Sequence, residues 1–292
     1  MRVPILAALA MTAFAANSVI ARLALGDRGI DPGTFTLLRL LAGALILTFI
    51  VRISSTRNRR NWKVAGSWSS AALLLTYAAT FSYAYVNLGA ATGALVLFAV
   101  VQTVMFTSAV RSGERLGFAG FAGLTLALTG LVALVGPGVS RPDPIGVLLM
   151  CVAGIAWAGY TLRGRGGDFP VLVTAGNFLR SIPLAFALWV LVLIFRGEAM
   201  HVSTKGVTLA ILSGAVASGL GYALWYTVLP SLTRGQSGIV QMAPAPLATL
   251  GGLALLGEPI TGKILFASIL ILSGVLLGVL KPHVKSSPSS NW

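Results

Sequence analysis

The sequence predicts an all-α integral membrane protein: ten transmembrane helices arranged as two inverted five-helix repeats around a central cavity. Three observations carry the prediction. Of the 292 residues, 56% are hydrophobic and only 10% are charged, with a mean hydropathy of +0.89, whereas a soluble domain carries about 25% charged residues. The apolar runs are separated by abrupt polar breaks, and ten of them approach the ~20 residues that a helix needs to cross the hydrocarbon core. Landmarks of the first half recur in the second at near-constant spacing.

In order, the spans are predicted over residues 3–25, 33–52, 65–87, 90–110 and 116–136, then 144–162, 171–195, 205–229, 235–256 and 261–281. The first, preceded only by Arg2, has Ala13-Phe14-Ala15 where a secretory signal would be cleaved. Its apolar run exceeds the about 7 to 15 residues of a signal core, so it is read as a span. Turn-forming clusters punctuate the rest: Gly26-Asp27-Arg28-Gly29, Arg57-Asn58-Arg59-Arg60, Gly136-Pro137-Gly138 with Pro142 and Pro144, Gly164 to Gly167, and Gly257-Glu258-Pro259. The polar tail Ser286 to Trp292 is expected to be disordered. The chain thus divides into a first five-helix repeat, residues 1–140, and a second, inverted one, 141–292, that ends in this tail.

Ten spans put both termini on one side, and the 21 basic residues sort accordingly. Thirteen share the side of the termini: Arg2, Arg52, Arg57, Arg59, Arg60, Lys63, Arg111, Arg115, Arg163, Arg165, Arg234, Lys281 and Lys285. Six lie opposite (Arg22, Arg28, Arg141, Arg196, Lys205 and Lys263), and Arg39 and Arg180 fall inside spans. The positive-inside rule then places both termini in the cytosol of a bacterial inner, or plasma, membrane. Glu114 and Asp168 are cytosolic, and Asp27, Asp31, Asp143, Glu198 and Glu258 are outside, so the net +14 divides into +11 inside, +1 outside and +2 within the membrane. The basicity reports topology and not a nucleic-acid partner; the lipid bilayer is the partner it implies.

Enzyme chemistry and cofactors are not expected. The single cysteine, Cys151, sits in an apolar run, His201 and His283 lie far apart in polar connections, and no Walker loop is present. All seven carboxylates fall at helix ends or in loops, leaving no membrane-embedded proton relay or sodium ligand, which points to uncoupled, facilitated transport.

Leu38-Arg39 falls on Leu179-Arg180 at an offset of 141, and Gly113-Glu114 on Gly257-Glu258 and Thr129-Gly130 on Ser273-Gly274 at 144. A second copy of a five-span unit enters the membrane reversed, the architecture that transporters use for alternating access to a midplane site. With these pairs, Gly113-Glu114-Arg115-Leu116, Leu256-Gly257-Glu258-Pro259-Ile260 and Ala243-Pro244, the chain resembles the drug/metabolite transporter (DMT) superfamily and its EamA-type members over nearly its whole length. Ala156-Trp157-Ala158-Gly159-Tyr160 and Tyr77 look most like the YddG-type exporters of aromatic and other amino acids, although the fourth span here carries only Phe98 and Phe106 as aromatics. The resemblance implies that spans one to four and six to nine surround the cavity, with five and ten as peripheral scaffold.

The candidate substrate-binding residues follow from polarity inside apolar runs. Arg39 and Arg180, about 9 and 15 Å into their helices, could each hold a carboxylate through a two-pronged guanidinium or could instead satisfy helix-end carbonyls. Gln241 and Pro244 stand in Gln241-Met242-Ala243-Pro244-Ala245-Pro246, whose prolines free carbonyls that a bound amine could use. Asn17, Tyr83, Gln102, Tyr160 and Asn177 join Tyr77, Phe98 and Trp157, with Thr76 and Tyr222 also deep in spans. Trp225 and Tyr226 suit either the cavity or an aromatic belt near a span end. Ala119, Gly123 and Ala127, and Gly274 and Gly278, suit close helix packing; a monomer is favoured over a dimer.

The function read from the sequence is therefore a membrane transporter exporting small organic solutes, amino acids including aromatic ones first among them, by alternating access. Drug, nucleoside or other metabolite efflux, proton-coupled or not, and lipid flipping are the alternatives.

Overall fold

A computed structural model describes residues 2–58, 65–114, 118–135, 142–165, 169–196 and 201–280. Arg59, Arg60, Lys63, Arg115, Arg141, Asp168, Glu198, Lys281, His283 and Lys285, Leu116, the breaks at Gly136-Pro137-Gly138 and Gly166-Gly167, the 140/141 repeat boundary and the polar tail lie outside the described residues.

The described chain is helical throughout, with one isolated antiparallel bridge between Ile30 and Val202. The helices are α1 (Arg2–Leu25), α2 (Pro32–Asn58), α3 (Trp68–Ala84), α4 (Ala90–Arg111), α5 (Phe118–Val135), α6 (Pro144–Arg163) and α7 (Pro170–Arg196). Then come α8 (Thr204–Leu212), a π-helical segment (Ser213–Leu220) and α9 (Gly221–Val228) in one continuous run, followed by α10 (Arg234–Val240), α11 (Pro244–Leu256) and α12 (Gly262–Leu280).

Local chemistry sets the ends. Asp143 accepts from the Gly146 N–H ahead of Pro144, and Ser203 accepts from the Gly206 N–H, so α6 and α8 start where orphan amide donors find side-chain oxygens. Ser67 does the same for Ser70 and starts α3 at Trp68, not at 65, while a turn after Ala84 ends it early. Thr233 and Gln236 cap each other at α10. Where the sequence predicts one ninth span, the chain makes two helices, α10 and α11, because Pro244 and Pro246 cannot donate to the preceding turn.

Among the described residues, seven helical stretches are long and apolar enough to cross a membrane: Val3–Leu25, Pro32–Ser54, Ala90–Arg111, Pro144–Arg163, Pro170–Phe195, Thr204–Ser231 and Arg234–Leu256. Burial follows suit for a multi-pass membrane protein: Phe118, Phe195 and Leu45 are 88%, 82% and 64% exposed, while Asn17, Arg39, Gln102, Asn177 and Gln241 are buried. Large apolar side chains thus cover much of the outer surface, while these polar ones sit in the otherwise apolar interior.

The helices of the two halves interleave. α1 packs between α9 and α11, α2 between α7 and the π segment, α3 between α6 and α7, and α4 between α6 and the α10–α11 pair. The contacts close a ring in which every first-half helix touches second-half helices on both sides. α5 and α12 stand apart from the ring, packed chiefly on each other. At their crossing Gly123 and Gly274 meet backbone to backbone; a Cβ on Gly274 would stand 2.7 Å from the Gly123 carbonyl oxygen.

Candidate solute pathway

The ring closes on a knot of aromatic side chains. Trp157 of α6, 2% exposed, lies 4.8 Å from the Tyr222 ring, 5.1 Å from Tyr77 and 5.4 Å from Phe14, measured between centroids. Tyr160 extends the knot to Tyr226 at 5.6 Å, and Phe178 of α7 meets Tyr222 edge-on at 5.2 Å. Rings from α1, α3, α6, α7 and α9 thus share one core, held in the tilted and edge-to-face arrangements that aromatic quadrupoles favour.

Two polar devices are set into these rings. The Trp157 indole N–H donates to Gln241 Oε1 at 2.6 Å, and Gln241 Nε2 donates to the Ser237 carbonyl at 3.0 Å. Gln241 sits at the break between α10 and α11, so the helix interruption aims an amide at the core. The carbonyls orphaned by Pro244 and Pro246 are not left open, as the sequence suggests, because the chain tightens instead. Val240 O accepts from the Ala243 N–H and Met242 O from the Ala245 N–H, i to i+3 bonds at 3.2 Å each.

The second device is Arg39 of α2, 1% exposed. Its Nε donates to Ser218 Oγ and its Nη2 to the Tyr77 hydroxyl, both at 3.0 Å. The guanidinium lies over the Tyr77 and Phe81 rings at 5.1 and 4.8 Å. Among the described residues Nη1 has no well-formed hydrogen bond; the buried Tyr222 hydroxyl stands beside the guanidinium, close enough to interact with it, and has no other partner. Ser218 belongs to the π segment, where the wider turn rotates the helix surface; Gly214, in the same segment, lets it approach so closely that a Cβ there would strike the Arg39 carbonyl. The neighbouring Ser213 hydroxyl donates to Asn17 Oδ1 at 2.6 Å.

At each end of α4 a glutamate from one half accepts from the backbone N–H groups that start a helix of the other, with an arginine nearby that at the Glu258 end also pairs with the carboxylate. At its N-terminus, Glu258 Oε2 accepts from the Ala90 N–H at 2.8 Å and Oε1 from Arg22 Nε at 3.1 Å, while Arg22 Nη1 donates to the Tyr85 and Val86 carbonyls. About 33 Å away, beyond the other end of this 22-residue helix, Glu114 accepts from the Arg234 and Gly235 N–H groups at 3.0 and 3.1 Å. There Arg165 donates to the Leu232 and Thr233 carbonyls and to Ser237 Oγ. Burial pushes the Arg165 guanidinium below its ordinary range, Glu114 raises it and Arg234 lowers it. Glu114 thus closes α4 onto the start of α10, and Glu258 closes α11 onto the start of α4. Each glutamate follows a glycine with positive φ, 78° at Gly113 and 64° at Gly257, which turns the chain back over its own helix end. Both carboxylates also meet the positive end of the partner helix. A cleft of about 290 Å³ beside the Glu258 tie is lined by Arg22, Gly89, Thr92, Glu258 and Lys263.

Of the residues chosen from sequence, Asn17, Arg39, Tyr77, Trp157, Tyr160 and Gln241 come together around the core. Asn177 joins through its Nδ2, which donates to the Tyr160 hydroxyl at 3.3 Å, and its Oδ1 receives the Ser67 N–H. Phe98, Gln102 and Pro244 are buried in the α4–α11 wall, with Gln102 beside Gly238. Tyr83 stands apart, half-buried near Gly33 and Trp189. Arg180 is half-buried, with Nη1 on the Ala65 and Gly176 carbonyls at 2.8 and 3.1 Å, tying the lead-in of α3 to α7. Thr76 is exposed on the outer face of α3, and Trp225 and Tyr226, 0% and 1% exposed, belong to the core and not to a belt. Phe14, Phe81, Phe178 and Ser218 were not singled out by sequence. The first three look like ordinary apolar residues, and Ser218 faces Arg39 through a π register that no periodicity announces.

The EamA-like transporter family matches residues 1–136 and 144–280. An uncharacterised protein of Pseudomonas aeruginosa is 47% identical over 97% of this chain and 96% of its own length. An uncharacterised transporter of Archaeoglobus fulgidus is 26% identical over 61% of this chain and 63% of its own. A solved crystal structure superposes with a TM-score of 0.68 at 21% identity, covering 94% of this chain and 96% of that one, a likeness of fold.

Proposed function

Because this chain belongs to the EamA-like transporter family, we propose that it exports small organic solutes, amino acids including aromatic ones first among them, by alternating access. The observation that carries the reading is the pair of matching ties. Residues that correspond at offsets of 143 to 144 (Arg22 with Arg165, Ala90 with Arg234, Glu258 with Glu114) close opposite ends of one aromatic core. An inverted ten-span repeat, with α3, α5 and α12 completing the seven longer spans, accounts for that correspondence. The family match to the two halves supports it too.

In this mechanism the structure is the state closed at both ends. Release of the Glu258 tie frees α11 from α4 and α1 on one face, and release of the Glu114 tie frees α4 from α10 on the other, with the core as the shared pathway. The sidedness of the basic residues favours a cytosolic position, at a bacterial inner membrane, for the termini and the Glu114 tie. The cargo assignment rests on the core's composition: aromatic walls for a side chain, and the Arg39, Asn17 and Gln241 side chains for polar ends. No carboxylate enters that core among the described residues, which favours uncoupled flux. Flux of radiolabelled amino acids into proteoliposomes, with and without an imposed proton gradient, tests the proposal. Downhill flux indifferent to the gradient is expected; no amino-acid flux would sink the cargo assignment, and gradient-driven accumulation would overturn the uncoupled mechanism.

A further inference from the structure

Arg39 is a full positive charge in the apolar interior, yet among the described residues the groups it bonds or stacks on are neutral: a serine hydroxyl, a tyrosine hydroxyl and two ring faces. A buried guanidinium is costly unless an anion pairs with it. The acidic residue nearest Arg39 in sequence, Asp31, caps the start of α2 by accepting from the Thr34 N–H, about two helical turns away. Several buried donors have no acceptor among the described residues, Trp225 Nε1 and the Tyr85 and Tyr226 hydroxyls among them; Nη1 of Arg39 and the Tyr222 hydroxyl beside it are the pair that includes a cation. Two adjacent donors, one cationic, match the two oxygens of a carboxylate. The local backbone is also atypical, since Ser218 holds Arg39 Nε from within a π segment, a distortion that recurs at functional sites. Arg180 differs in each respect: it is half-buried and bonded to carbonyls.

We infer that Arg39 Nη1 and the Tyr222 hydroxyl bind the carboxylate of the transported solute, so that the cargo is a small organic carboxylate with an aromatic or apolar body. This rests on the reading of the core as the solute pathway and narrows its substrate class. Ser218 and Tyr77 act as positioning residues that hold the guanidinium edge toward Tyr222, while the Tyr77 and Trp157 rings flank the solute's body.

The test compares phenylacetate with its neutral isostere phenylacetamide, binding to the purified full-length protein being followed by quenching of tryptophan fluorescence. Phenylacetate is expected to bind about tenfold or more tightly than the amide, the equivalent of one charge-assisted contact. Tyr222→Phe, which removes one hydroxyl, should cut that preference about threefold or more, and Arg39→Gln should abolish it, with the larger loss falling on phenylacetate. Equal binding of the two probes to the native protein, or no binding of either, overturns the inference. So does an equal loss of both probes in the variants, the signature of a purely structural arginine. Should Arg39→Gln fail to fold, the contrast in the native protein and Tyr222→Phe decide the matter. Carboxylate preference without amino-acid flux would overturn the amino-acid cargo alone, and amino-acid flux without the preference would overturn the carboxylate site alone.

Discussion

Glu258→Gln isolates one of the two ties. Glutamine keeps a carbonyl oxygen for the Ala90 N–H but removes the charge facing Arg22 Nε, a 3.1 Å contact in which the two side chains are 26% and 21% exposed. An exposed ion pair contributes about 1 kcal/mol or less and a hydrogen bond to a charged group about 1.5 to 3. A contact three-quarters buried, with one neutral bond surviving, falls at about 1 to 2 kcal/mol, or about a 5- to 30-fold rise in the population open at that end. Ser18 reports it: the residue is 1% exposed and lies one turn before Arg22 on α1, between the tie and the core. In a Cys151→Ala background, Ser18→Cys should react with a membrane-impermeant thiol reagent about 5 to 30 times faster once Glu258 is glutamine. An unchanged rate in folded protein would refute the assignment of Glu258 as a closure.

Other substitutions probe the core and the scaffold. Trp157→Phe leaves Gln241 Oε1 buried without its donor and should destabilise the protein by about 1 to 3 kcal/mol in a detergent unfolding titration; no loss would mean the oxygen finds another partner. Gly123→Ala, whose Cβ would meet the Gly274 carbonyl oxygen at 2.8 Å, should cost about 1 to 3 kcal/mol in the same titration. Flux per folded molecule should be preserved, because the α5–α12 pair lies outside the ring. Arg180→Gln should lower stability through the lost bonds to Ala65 and Gly176 without changing which solutes compete for flux, and a changed competition order would move Arg180 into the pathway.

The fold was legible where the bilayer itself dictates pattern. Apolar runs and their Gly, Pro and Asp stops locate the helices to within a few residues, since each span must satisfy its own backbone and end at water. How the halves interleave was not legible, because which helix packs on which depends on shapes summed over whole faces. Arg39 stood out as a charge in an apolar run, and so did Arg180, but sequence depth does not separate a buried guanidinium from one held by carbonyls. Thr76 shows the same limit: depth along a helix is readable, but the direction a side chain faces is not. Gln241 was found through the prolines beside it, although the orphaned carbonyls were satisfied by a tightening that only the backbone reveals. The Gly-Glu pairs were visible as a repeat. Their role in closing opposite ends required knowing that each reaches across to a helix start in the other half.

The central claim, that the two ends close in alternation around one core, is tested most directly by paired accessibility. Thr161 corresponds to Ser18 at an offset of 143 and is 0% exposed near the Glu114 end. Thiol reactivity at Ser18→Cys and Thr161→Cys would be measured from their respective faces in Glu258→Gln and Glu114→Gln. The account predicts opposite responses: Glu258→Gln raises reactivity at position 18 and lowers it at 161, and Glu114→Gln does the reverse. Reactivity rising at both positions in either variant would contradict it.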